Sequence, residues 1–115
     1  MPAKIELLRK IYAAFNRREI ETVLAVMHPD VDWPNGMEGG RVLGTDAVRE
    51  YWKRQFSMIN ARVDPETFST DPDGRIAIGV HQVVRDNDGK LLADQMIRHI
   101  YDFQDGRIRS MEIQS

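Results

Sequence analysis

The spacing of apolar residues in this chain changes once, near Arg62, and that change fixes the kind of fold it can adopt. Before it, hydrophobic side chains recur every three or four positions, as on one face of a helix. Beyond it they alternate, as on a strand with one buried face. A helical block followed by a run of strands predicts an α+β domain in which helices cover one side of a sheet.

In the helical block, Ile5, Leu8, Ile11, Tyr12 and Phe15 share a face and predict a first helix, interrupted at Asn16-Arg17-Arg18. A second helix is expected from about Glu19, ending near His28 because Pro29 disfavours helix in the residue before it. Asp30 to Trp33 is short and alternating, and Pro34 closes it. Asn35 to Gly40 holds three glycines in six residues and is expected as a loop that can open and close. Thr45 is expected to cap a third helix with Val48, Tyr51, Trp52, Phe56 and Ile59 on its apolar side.

Strands are expected at Val63–Ser69, Arg75–Arg85, Leu91–Gln104 and Arg107–Gln114. The turns between them contain Asp-Pro-Asp-Gly, Asp-Asn-Asp-Gly and Asp-Gly, where proline presets one torsion and glycine accepts a positive φ. In the Leu91–Gln104 strand, Ile97, His99, Tyr101 and Phe103 share the face expected to meet the helices. Met96 and Ile100 lie opposite, and Ile108 is assigned to that outer face as well. These three predict a second apolar surface, most simply a homodimer through the outer sheet face.

All 115 residues are expected to form one domain. With 16 Lys and Arg against 18 Asp and Glu, the chain has no basic block to follow a phosphate backbone, so nucleic-acid binding is not expected. There is no cysteine, which excludes disulfides, thiolate metal sites and thiol nucleophiles. The longest apolar run, Val23–Met27, is five residues against the ~20 needed to cross a bilayer, and no signal peptide is visible. A cytoplasmic protein that does not enter a membrane is the expectation. No dinucleotide, P-loop or nucleophile-elbow motif is present, and His28, His81 and His99 are far apart in sequence. Neither a cofactor nor a metal is expected.

Several segments, in order, resemble the nuclear transport factor 2-like superfamily, in particular its SnoaL-like and ketosteroid-isomerase-like branch. They are Ile11-Tyr-Ala-Ala-Phe-Asn16, Leu24 to Asp30, Val31-Asp-Trp-Pro-Asn-Gly36, Gly44-Thr-Asp-Ala-Val-Arg-Glu-Tyr-Trp52, and Arg98-His-Ile-Tyr-Asp-Phe-Gln-Asp-Gly-Arg-Ile108. The resemblance implies a cone: a strongly curved antiparallel sheet wrapped on three N-terminal helices, a cystatin-like α+β barrel with a deep apolar pocket. It also implies a small hydrophobic or carbonyl-containing ligand and frequent homodimers. The chemistries it brings to mind are cofactor-independent isomerisation, cyclisation and dehydration beside a carbonyl, with non-catalytic binding as the alternative.

Ketosteroid isomerase uses an Asp base, with a Tyr and a protonated Asp holding the oxyanion. By resemblance Tyr12 takes the tyrosine's place and His99 the protonated acid's, while Trp33 stands where the base would be. An indole cannot accept a proton. Asp32 is adjacent but should point to the opposite face unless the strand is irregular. Two roles stand open for Tyr12 and His99, satisfied core groups or hydrogen-bonding groups in a ligand site. His99, Tyr12 and Asp32 are the candidate catalytic residues. Trp33, Trp52, Phe56, Tyr101 and Met111 are the candidate substrate-binding residues. The polyketide cyclases of this superfamily use an acid near the chain's end; the late acid here, Glu112, is expected to face away from Met111 and Ile113.

Overall fold

A computed structural model describes residues 3–114. Its elements run α1 (Ala3–Asn16), α2 (Ile20–Leu24), β1 (Met27–Pro34), β2 (Arg41–Leu43), α3 (Thr45–Met58), β3 (Ile59–Thr70), β4 (Ile76–Asp86), β5 (Leu91–Gln104) and β6 (Arg107–Gln114). The six strands form one open sheet in the order β2-β1-β6-β5-β4-β3. Every pairing is antiparallel except β1 with β6, which run parallel. This is the expected α+β plan, with one parallel pair added.

The α1 face holds as predicted: Ile5, Leu8, Ile11 and Tyr12 are buried. Asn16 ends the helix and ties it to the sheet. Its side-chain amide donates to the Val63 carbonyl (2.8 Å), and its side-chain oxygen accepts from the Val63 N–H (2.9 Å). Asn16 thereby satisfies a backbone donor and acceptor on the edge strand β3, groups that would otherwise face a helix without partners. At the other end of the inner face, Leu8, Val31, Val48, Ile78, Val80 and Ile108 pack into a core closed to solvent.

Four boundaries differ from expectation. Helix α2 stops at Leu24 rather than near His28, because the Val26 carbonyl accepts the Ile108 N–H (3.0 Å) and draws the chain into the sheet at Met27. Thr45 is the first residue of α3 rather than its cap; Gly44 precedes it with φ +88°, and the Gly44 N–H donates to the Val31 carbonyl (2.8 Å). Ile59 belongs to β3 rather than to the stripe of α3. The glycine-rich stretch leads into the short strand β2, and it is tied down: the Asn35 side-chain oxygen accepts from the N–H groups of Met37 and Glu38.

The outer sheet face also differs. Between β5 and β6 the register steps from Asp102 opposite Ser110 to Phe103 opposite Ile108, so Arg109 is an extra residue. This bulge flips Ile108 to the inner face, where it is wholly buried. Ile100 is buried too, leaving Met96 alone of the three expected outer apolar residues exposed. Strand β6 pairs with Arg98–Gln104 of β5, and among the described residues Leu91–Met96 pairs with β4 alone. Among the described residues no helix is long and apolar enough to cross a membrane.

Candidate functional site

The inner face of the curved sheet and the helices enclose a cavity of about 430 Å³. Strand alternation aims its wall. Tyr101, His99, Gln95 and Ala93 come from β5, Met111 and Ile113 from β6, Trp33 from β1, Tyr12 and Phe15 from α1, and Tyr51, Trp52 and Gln55 from α3. The aromatic rings meet edge to face: Trp33 and Trp52 are 5.6 Å apart at 88°, and Phe15 and Trp52 are 5.4 Å apart at 72°. Among the described residues no carboxylate, lysine or arginine lines this cavity.

Of the eight residues expected at the site, His99, Tyr12, Trp33, Trp52, Tyr101 and Met111 line it together. The other two are elsewhere. Phe56 packs on Phe15 (5.3 Å) beneath the Arg18 guanidinium, one helical turn beyond the cavity wall formed by Trp52. Asp32 points outward, because on β1 its neighbours Val31 and Trp33 take the inner face. The Arg41 guanidinium holds its carboxylate (2.6 Å) and also donates to the carbonyls of Asp32 (2.9 Å) and Met111 (2.6 Å), fastening β2 across β1 to β6. His81 and Asp94 lie 2.6 Å apart on the outer face.

At the closed end of the cavity lies a polar chain. The Tyr12 hydroxyl is 2.6 Å from His99 Nδ1 and 2.9 Å from the Tyr101 hydroxyl, and all three residues are buried. Burial lowers the His99 pKa to about 4, so the imidazole is neutral near pH 7. Burial likewise raises both tyrosines far above the ordinary phenol range.

Counting protons selects a tautomer. If Tyr101 donates to Tyr12 and Tyr12 donates to Nδ1, every hydroxyl proton has an acceptor, and the imidazole proton sits on Nε2. If instead Nδ1–H donates to Tyr12 and Tyr12 to Tyr101, the Tyr101 proton is left buried without an acceptor, at a cost of about 1–3 kcal/mol. The first arrangement is therefore favoured. Nε2 has no protein partner among the described residues and is not a fully buried atom, so its N–H faces the cavity that His99 lines.

Sequence reasoning passed over three further polar groups. Tyr51, read as an aromatic of the core, places its hydroxyl oxygen where it accepts the Gly36 N–H (3.0 Å). Burial pushes its phenol up, partly countered by the Gly36 and Met37 N–H groups aimed at its oxygen. Its own proton has no protein acceptor among the described residues. Gln82 and Gln95 face each other across β4 and β5, with the Gln95 amide donating to the Gln82 side-chain oxygen (2.9 Å). Their inward direction follows from alternation with Val80 and Ile97, the signal that could have found them. Among the described residues no group of three or more His, Asp or Glu side chains is placed to hold a metal ion.

Comparison with known proteins agrees with this architecture. Residues 8–111 match the family model of the SnoaL-like domain. A nuclear transport factor 2-like protein of unknown function from Burkholderia pseudomallei is 30% identical, with a TM-score of 0.86 over 99% of this chain and 91% of that one. TerC, solved after co-crystallisation with polyporic acid, is 31% identical, with a TM-score of 0.81 over 95% of this chain and 88% of its own. A putative polyketide cyclase from Sinorhizobium meliloti, at 18% identity, shares the fold with a TM-score of 0.80 over 99% and 95% of the two chains. No curated protein sequence matches. The family match spans nearly the whole chain, and so this chain belongs to the SnoaL-like domain family.

Proposed function

We propose that this domain takes a compact, uncharged, ring-bearing molecule into its cavity and acts beside a carbonyl or enol oxygen bound to His99. The reaction is cofactor-independent: isomerisation, cyclisation or dehydration. One observation carries this reading. At the closed end of a mostly apolar cavity, the Tyr101–Tyr12–His99 chain ends in an N–H that no protein group among the described residues accepts. A preorganised donor in a site of low dielectric stabilises charge developing on a substrate oxygen far better than water does.

The roles of the residues follow from their hydrogen bonds. His99 is the group at the reacting oxygen. Tyr12 donates to Nδ1 and accepts from Tyr101, so it has no proton left for a ligand and acts as a positioning residue. Loss of the Nε2 proton would in turn draw protons from Tyr12 and Tyr101, whose burial opposes ionisation. His99 is thus a hydrogen-bond donor at the oxygen rather than a base, and the proton lost beside the carbonyl passes to solvent water, since no carboxylate lines the described cavity wall. Trp33, Trp52, Tyr101 and Met111 shape the apolar slot, and Asp32, held by Arg41, takes no part. A relative co-crystallised with polyporic acid supports a small organic ligand.

The second reading, a binder without chemistry, draws on the absence of any charged side chain from the described cavity wall. Two measurements on one scaffold separate them. Titration with 2-naphthol, an enol mimic, should show binding that weakens about tenfold or more in His99→Phe, the scale of a good hydrogen bond in a dry site. With 2-tetralone, an enzyme should speed exchange of the protons beside the carbonyl for deuterium, and His99→Phe should abolish the gain. Naphthol binding without faster exchange leaves the binder, and equal affinity in both proteins removes the role of His99. A homodimer through the outer sheet face, the assembly the resemblance implies, has Met96 as its exposed apolar contact and completes the proposal.

A further inference from the structure

A second cavity of about 550 Å³ adjoins the first, and the two share Pro34, Gly36, Gln82, Gln95 and Ile113 as wall. The waist between them is where the two glutamines meet. Their amides make one hydrogen bond to each other (2.9 Å), which leaves one side-chain oxygen and one NH2 group without a protein partner among the described residues. Exchanging O and N in both amides reverses which residue supplies which group, but the pair still presents one acceptor and one donor.

The charges around the waist narrow what it accepts. Among the described residues Arg41 is the one cationic side chain in the second cavity; its charge is paired with the Asp32 carboxylate through Nε, and Nη2 donates to the carbonyls of Asp32 and Met111. Glu112 lines the same cavity and has no ion-pair partner among the described residues. A carboxylate brought to the waist would meet an amide oxygen and a second carboxylate with no free cation to offset them.

We propose that Gln82 and Gln95 form a subsite for an uncharged ligand group that both donates and accepts a hydrogen bond, a hydroxyl or a carboxamide, at the end of the molecule opposite the oxygen held by His99. This deepens the function proposed above and rests on it. His99 and Gln95 lie four residues apart on one strand face, about 13 Å along β5. The preferred ligand therefore carries two polar ends across roughly two fused rings. It fills the deep cavity with its ring body and projects its second polar group through the waist.

Three probes test this by titration: 2-naphthol, naphthalene-2,6-diol and 6-hydroxy-2-naphthoate. The diol should bind about five- to tenfold more tightly than 2-naphthol, the effect of one or two added hydrogen bonds. Gln82→Leu and Gln95→Leu should each bring the ratio of diol to 2-naphthol affinity down to about one, and in the unaltered protein the naphthoate should gain nothing over 2-naphthol. Equal binding of diol and naphthol by the unaltered protein would overturn the subsite, as would a naphthoate that binds more tightly than 2-naphthol. Thermal unfolding of each variant identifies a misfolded one, and Gln82→Glu then serves as a second variant, expected to disfavour the naphthoate against 2-naphthol by a wider margin than the unaltered protein does. If 2-naphthol binds but is indifferent to His99→Phe, the reading of His99 fails, and the diol-to-naphthol ratio still decides the subsite. If 2-naphthol does not bind at all, both fall.

Discussion

Tyr12, Tyr101 and His99 form a directional chain, so their substitutions should differ in cost. Tyr12→Phe removes both the acceptor of Tyr101 and the donor to Nδ1, leaving two buried groups without partners. Tyr101→Phe removes a donor only and leaves the Tyr12–His99 bond in place. Urea denaturation should show Tyr12→Phe losing about 2–3 kcal/mol and Tyr101→Phe about 1 kcal/mol; a Tyr12→Phe loss no larger than that of Tyr101→Phe would overturn Tyr12 as the middle of the chain. The depressed His99 pKa has its own consequence. Between pH 6.5 and about 4 the unfolded chain binds a proton at this residue that the folded protein refuses. Stability from this group is therefore complete above pH 6.5 and falls as pH drops through about 4, by something of order 3 kcal/mol. His81 behaves oppositely: its hydrogen bond to Asp94 raises its pKa, so its contribution is present in acid and lost as pH rises through the raised value. Unfolding of His99→Phe across this range should show a flatter acid limb than the unaltered protein, and an identical limb would exclude a neutral buried imidazole.

Strand pairing places one close contact that a simple experiment can probe. A Cβ built on Gly79 would lie 2.3 Å from Thr67 Oγ1, which also accepts the Gly79 N–H (3.2 Å). Gly79→Ala should cost about 1–3 kcal/mol by overpacking, and most of that loss should return in the double variant Thr67→Ala/Gly79→Ala. Element by element, the sequence was most informative where period and turn chemistry agree. Helix α1, the alternation of β5 and the Asp105-Gly106 turn, where both residues take positive φ (54° and 77°), are what their residues predict. It was least informative where a distant strand decides. Val26 leaves its helix for the Ile108 N–H, Arg41–Leu43 is too short to show alternation, and the bulge at Arg109 turns Ile108 inward with no local signal. The site divides in the same way. His99, Tyr12 and the aromatic wall lie on faces that periodicity reveals, whereas the free proton of Tyr51 and the paired amides of Gln82 and Gln95 depend on which groups are left without partners. Only assembled elements show that.

The molecule as a whole is asymmetric in what it buries: one end of the inner face is a filled core, the other an aromatic-lined cavity that opens past the two glutamines. Binding to the folded form alone should therefore stabilise the entire domain. At a hundredfold excess of 2-naphthol over its Kd, unfolding should be harder by about 2.7 kcal/mol, visible as a higher Tm; an unchanged Tm would mean that the ligand is not held by the folded state. On the opposite face, a dimer would have to use Met96 among the charges of His81, Asp94 and Arg98, so Met96→Glu should shift sedimentation at micromolar concentration from dimer to monomer. A single species of monomer mass in the unaltered protein would remove the dimer. The unpaired edge of β5 bears on how this protein behaves when concentrated. From Leu91 to Met96 this edge has no strand partner among the described residues, and beside it Leu91, Leu92 and Met96 are all about half exposed. Such an edge is a template on which another chain can add a strand, and the charge guarding it is the Asp94 carboxylate. Below pH 6.5 the buried imidazole begins to weaken the fold around that edge, so shelf life should shorten on the acid side through fibrillar association rather than simple unfolding.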